Sequence, residues 1–133
     1  MSLYLWIALG SALGGVARFA LSGLVAQHFG ETFPWGTVIV NVVGCFVIGL
    51  FSTLTDSDGR FWVGPTARHF VMTGILGGFT TFSSFTLQTR NLARDGDWWR
   101  AGCNILGSVV LCLLAVLAGH LSAQALTSLL KGS

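Results

Sequence analysis

The sequence predicts an all-α integral membrane protein with four transmembrane helices, and three observations lead there. Of its 133 residues, 53% are hydrophobic and 9% charged, and the mean hydropathy is +0.74. Soluble domains carry about 25% charged residues, and a soluble chain this apolar would expose patches that aggregate. Four mainly apolar stretches, at about 3–27, 34–54, 67–90 and 98–121, are long enough to cross the hydrocarbon of a bilayer. The acids punctuate them: Glu31, then Asp56 and Asp58, then Asp95 and Asp97, all fall in the connections. At this length residues 1–133 form one domain.

The first span carries Gly10, Gly14 and Arg18 at i, i+4 and i+8. Small residues at this spacing let helix backbones approach closely, within one subunit or between two. Arg18 either snorkels toward an interface or forms a cationic wall of an aqueous vestibule that attracts anions. Pro34 precedes the second span, at a position where its fixed φ and missing N–H cost least. Within that span Thr37, Asn41 and Gly44 share one face. A buried asparagine must find partners for its donors and acceptor, so Asn41 is either interhelical glue or a donor lining a permeation path. Pro65 precedes the third span. In the fourth, Asn104, Ser108 and Cys112 repeat at i, i+4 and i+8, a polar row suited to helix–helix hydrogen bonds or to a path. Beyond about Leu121 the chain continues as a helical extension ending in solvent. Trp6, Trp35, Trp62, Trp98 and Trp99 lie near span ends, as an interfacial aromatic belt would place them.

Several functions are disfavoured. A net charge of +2, scattered along the chain, gives no nucleic-acid footprint. Cys45, Cys103 and Cys112 show no metal-ligand or redox spacing and read as packing residues. No Ser-His-Asp set or phosphate loop is visible, so an enzyme is not expected. The N-terminal stretch lacks the basic n-region of a cleaved signal peptide. A small dual-topology multidrug exporter shares the four-span size, but proton coupling calls for a carboxylate inside the membrane, and every acid here lies in a connection.

Charge also bears on orientation. Arg60, Arg68 and Lys131 fall on the side of the termini, and Arg90, Arg94 and Arg100 on the other. The positive-inside rule therefore has nothing to act on. The expectation is insertion both ways and pairing with an inverted copy of the same chain.

The stretch GILGGFTTFSSF (74–85) is apolar enough for the bilayer yet poor for a continuous helix. Adjacent glycines carry a backbone-entropy cost and the threonine pair is β-branched. Non-helical backbone at membrane depth survives only in protein or against a cavity. An interruption there frees carbonyls, hard ligands for a small cation that two inverted copies could share. Phe82 and Phe85, at i and i+3, present ring edges of positive polarity. Thr81, Ser83 and Ser84 supply O–H donors beside them. The combination suits a small, strongly hydrated anion whose lost water must be replaced by donors.

GILGGFTTFSSF closely resembles the GxxGGxTTFSTF signature of the Fluc/CrcB fluoride channels, with Ser84 in place of a threonine. GGVAR (14–18) and WGTVIVNVVGCFVIG (35–49) resemble that family's GGxxR stretch and GTxxVNxxGxFxxG helix. The resemblance implies an antiparallel, dual-topology homodimer of four-helix subunits in the bacterial inner membrane, with a break in the third helix. It implies two pores that pass fluoride passively and protect the cell from it. It also implies a central structural sodium ion (Na+), not transported, on the main-chain carbonyls of Gly77 and Thr80. By motif, Phe82 and Phe85 form the phenylalanine box, Asn41 is the pore asparagine, and Thr81, Ser83 and Ser84 are the hydroxyl positions beside them. The fourth-helix track falls on Asn104, Ser108 and Cys112.

A reporter fused to the C-terminus tests the balanced charge. Activity on both faces of the membrane is the expected result, and activity on one face alone contradicts it.

Overall fold

Ser2 opens the first helix by accepting the N–H of Leu5 on its hydroxyl at 3.4 Å, so that a serine satisfies one of the orphan donors of the first turn. Helix α1 then runs Leu3–Phe29 in a computed structural model that describes residues 2–56 and 58–132. It ends at Gly30, whose φ of +77° is easily adopted by glycine and whose N–H donates to Ala26 O at 2.8 Å. Helix α2 spans Trp35–Leu54. The third span covers Pro65–Arg94 in successive pieces. They are α3 (Pro65–His69), a π-helical stretch (Phe70–Leu76), α4 (Gly77–Phe79) and α5 (Phe82–Arg94). Gly96, with φ +83°, turns the chain toward α6, Trp98–Lys131. Asp97 caps α6, accepting the N–H of Arg100 at 3.3 Å and pairing with its guanidinium at 2.6 Å. That partner holds the Asp97 carboxyl below the usual carboxylate range.

Among the described residues, four helices are long and apolar enough to cross a membrane, and the chain is a multi-pass membrane protein. The 34 residues of α6 measure about 51 Å at 1.5 Å per residue. That exceeds a hydrocarbon core of ~30 Å, so the helix continues past the bilayer, through the residues after Leu121. Leu13, Val16, Phe19, Leu113 and Leu114 are exposed, as lipid-facing side chains are. Trp62, Trp98 and Trp99 are exposed at span ends.

Two close helix pairs organise the interior. Along α1, a methyl on Gly10 would meet Phe70 O at 2.6 Å and Gly74 Cα at 3.0 Å, and one on Gly14 would collide with the Ile75 carbonyl and Phe79 N. From the other side, a methyl on Gly78 would meet Ser11 O at 2.6 Å. The small residues of α1 and the third span thus pack against each other within one chain. The second pair is α2 with α6, where Gly49 abuts the backbone of Val116 and Gly119 that of Phe46 and Leu50. Thr53 Oγ1 and His120 Nδ1 meet at 2.8 Å farther along the same seam. Both pairs run parallel, as alternate spans must. Asn104 is only 1% exposed and Ser108 is buried, so part of the core is polar.

Gly14 and its neighbour Gly15 differ in a testable way, because a methyl on Gly15 would meet nothing within 4 Å. Gly14→Ala is expected to cost about 1–3 kcal/mol by overpacking against backbone. Gly15→Ala should be neutral, or stabilising by up to about 1 kcal/mol through helix propensity. Thermal midpoints of the two variants in detergent distinguish them.

Candidate functional site

Between α4 and α5 the backbone leaves helical geometry. Thr80 has φ −86° and ψ 156°, and Thr81 has φ −150° and ψ 113°. Extended residues inside a span must send their polar groups to partners from elsewhere. For Thr81 the partner is Asn41 of α2. Its Nδ2 donates to Thr81 O at 3.0 Å, and its Oδ1 accepts the Thr81 N–H at 2.8 Å. The carboxamide thus binds both backbone groups of one residue, as a neighbouring strand would. Gly44, one turn farther along α2, makes room: a methyl there would collide with Thr80 Cγ2.

Neighbouring groups complete the junction. Thr80 N and its hydroxyl both donate to Leu76 O, each at 3.0 Å. The Thr81 hydroxyl accepts the Ser84 N–H at 3.1 Å and caps α5, with Ser83 Oγ 3.3 Å away. Arg18 of α1 donates from Nε to Gly78 O at 3.2 Å. In a continuous helix, Thr81 N would serve Gly77 O and Ser84 N would serve Thr80 O. Both donors are diverted here, to Asn41 and to the Thr81 hydroxyl.

Phe82 and Phe85 follow in the first turn of α5, with ring centroids 5.4 Å apart and planes inclined by 53°. Their surroundings are unlike: Phe85 is 8% exposed and Phe82 75%. Behind them, α6 contributes its polar row. Ser108 Oγ donates to Asn104 Oδ1 at 3.2 Å, and Asn104 Nδ2 donates to Thr89 Oγ1 at 2.8 Å. Four residues farther along α6 the row reaches Cys112.

A cavity of about 690 Å³ opens beside the junction, lined in part by Arg18, Thr37, Thr81, Ser84 and Gln88. The structure therefore brings Arg18, Asn41, Gly77, Thr80, Thr81, Ser83 and Ser84 together around one backbone irregularity. Asn104 and Ser108 stand apart from it, on the α6 side of α5. Two polar residues escaped the sequence reading. Thr89 is the partner of Asn104, and Gln88 keeps its Oε1 buried at the cavity wall without a hydrogen-bond partner. Water serves an acceptor in a polar cavity of this size. Their positions on the polar face of α5 were the available signal, but side chains there also suit an interfacial helix.

Comparison with known proteins places the chain in context. Residues 5–120 match the family described as "CrcB-like protein, Camphor Resistance (CrcB)". Over 133 residues the chain is 73% identical to a protein of Opitutus terrae, with all of both chains covered. It is 60% identical over 130 residues to one of Methylocella silvestris, covering 98% of each. A third relative, from Paramagnetospirillum magneticum, is 57% identical over 123 residues, 92% of this chain and 96% of its own. Each of the three is named "Fluoride-specific ion channel FluC".

Asn41→Leu leaves Thr81 N and O without partners and is expected to cost about 2–6 kcal/mol, at ~1–3 kcal/mol for each orphaned group. Thermal midpoints in detergent, against wild type, measure the loss.

Proposed function

The chain belongs to the CrcB-like family, and from that premise we propose that it is a fluoride-selective channel of the bacterial inner membrane. It passes the ion passively and so protects the cell from fluoride. The observation that carries this reading is the 73% identity, over the whole of both chains, to a protein named for fluoride-specific conduction.

The geometry supports a route for a small anion. Fluoride is strongly hydrated, so it enters a narrow path only where donors replace its water. Arg18, at the wall of the 690 Å³ cavity, draws anions toward the mouth. Asn41 has two N–H hydrogens, of which Thr81 O takes one. The second is the donor we assign to the passing ion. The hydroxyls of Thr81, Ser83 and Ser84 lie close by. Phe82 and Phe85 offer ring edges, whose weak positive polarity guides an anion without trapping it. Asn104 and Ser108 back this path from α6. Chloride is larger and holds water less tightly, so desolvation alone would favour it; a tight set of donors favours fluoride by fitting the smaller ion and by replacing the water it gives up.

The working unit in this reading is an antiparallel homodimer with two pores. Phe82, 75% exposed on the single chain, then lies on a surface that an inverted copy covers. A structural sodium ion fits the junction. The carbonyls of Gly77 and Thr80 have lost the N–H donors of a regular helix to Asn41 and the Thr81 hydroxyl, and carbonyl oxygen is a hard ligand suited to such a cation. When bound, the ion supplies fixed positive charge at mid-membrane and a shared anchor for two interrupted spans.

Fluoride-electrode efflux from proteoliposomes, with chloride as control, tests the reading. Wild-type protein should release fluoride and retain chloride, and a chain that passes neither is not a channel. Phe82→Ile and Phe85→Ile should each slow fluoride release by about tenfold or more, equal to ~1.4 kcal/mol on the barrier, while dimerisation persists. Wild-type rates in both variants would rule out the ring-edge role.

A further inference from the structure

Helix α5 starts from an interruption, so beyond its Thr81 cap no preceding helical turn holds the rings at its N-terminal end, and a contact from outside can add to their placement. The structure assigns that task to Thr89: with Asn104 and Ser108 it forms a one-directional hydrogen-bond relay from α6 to the Phe85 carbonyl, making Thr89 a positioning residue for the ring of Phe85.

Three bonds carry the argument. Ser108 Oγ donates to Asn104 Oδ1 at 3.2 Å, Asn104 Nδ2 donates to Thr89 Oγ1 at 2.8 Å, and Thr89 Oγ1 donates to Phe85 O at 2.8 Å. A threonine hydroxyl has one proton. Because Asn104 presents an N–H to Thr89, that proton must go elsewhere, and the Phe85 carbonyl one turn back receives it. The orientation of each group fixes the next. Asn104 is 1% exposed and Ser108 is buried, so their bond is shielded from water, while the two bonds of Thr89 are part-buried; in surroundings of lowered dielectric such bonds strengthen one another. Bonding of a hydroxyl to the i−4 carbonyl also bends a helix, which at Thr89 acts on the turn that bears Phe85. Neither Thr89 nor its bond to Asn104 is visible as a motif.

The inference rests on the channel reading but has a test of its own. Thr89→Val keeps the shape of the side chain and removes the hydroxyl; Thr89→Ser keeps the hydroxyl and removes the methyl. If the relay positions the ring, fluoride efflux falls about tenfold in T89V and stays within about twofold of wild type in T89S. If Thr89 merely fills space, the order reverses. Wild-type flux in T89V, or equal defects in T89V and T89S, overturns the relay. Amide hydrogen exchange over residues 82–90 gives a readout without ion flow. Protection should drop about tenfold in T89V and hold in T89S, and unchanged protection in T89V also overturns the relay. Should wild-type protein pass no fluoride, the channel reading falls while exchange still decides the relay. If T89V does not fold, Thr89→Ala against Thr89→Ser poses the same contrast, with the loss expected in the alanine variant alone.

Discussion

One carboxamide holds the centre of this molecule. Asn41 binds the N–H and the C=O of Thr81, and without it two backbone groups would stand unpaired at membrane depth, where no water comes to them. From that pair the remaining irregularity follows. Thr81 cannot both bond to Asn41 and donate to Gly77 O, so the Gly77 carbonyl loses its helical donor. Thr81 in its extended form turns its hydroxyl to Ser84 N, which releases the Thr80 carbonyl and starts α5 with a proper cap. The interruption is thus a set of exchanged hydrogen bonds rather than a set of missing ones, and two hard oxygens are its product.

Such an exchange needs room. Helices that meet through large side chains stand 8–10 Å apart, too far for a short amide on α2 to reach the backbone of the third span. Gly44 lets Thr80 and Phe79 pack directly on α2, and Gly14 and Gly78 bring α1 against the same segment. Arg18 then reaches Gly78 O from the side of α1. The glycines do in packing what Asn41 does in hydrogen bonding: each brings a neighbour close enough to stand in for the next helical turn. In lipid this close approach is also a source of cohesion, because apolar surface alone gives helices no preference for each other over acyl chains.

Different parts of this arrangement were legible to different degrees. The four spans were, since hydropathy and the position of acids depend only on local composition. Span ends were less so. Helix α1 continues to Phe29 and the third span begins at Pro65, where capping and connection geometry decide rather than apolarity. The polar residues of the spans announced themselves, because a buried Asn or Arg requires a partner, but the identity of the partner did not. Asn41 could have served another side chain, and its bond to a threonine backbone depends on distances between helices that no periodicity encodes. Gly49 entered only as the last residue of a motif and Gly119 in no motif at all, yet they set the α2–α6 seam. Phe82 and Phe85 stand at i and i+3, yet the structure separates them into an exposed and a buried ring, a distinction made by tertiary packing and not by spacing.

The double use of Asn41 has a consequence for how conduction relates to folding. In the proposed path its second N–H meets the anion while its first holds Thr81 in place, so any substitution there changes the scaffold and the route together. The rings differ in this respect. Phe82 makes no hydrogen bond that the fold needs and is largely exposed on the chain, so its chemistry can change while the junction stands. In that proposed path the donors that meet the ion are tied to the scaffold, and so hold their geometry when water leaves. The rings are weakly polar, and of the two Phe82 is the lightly tethered one. A full positive charge beside the rings would reverse that balance by trapping the anion; Arg18 is instead bonded to the Gly78 carbonyl at the cavity wall. In the proposed path, attraction is therefore applied at the entrance, and exchange of donors inside.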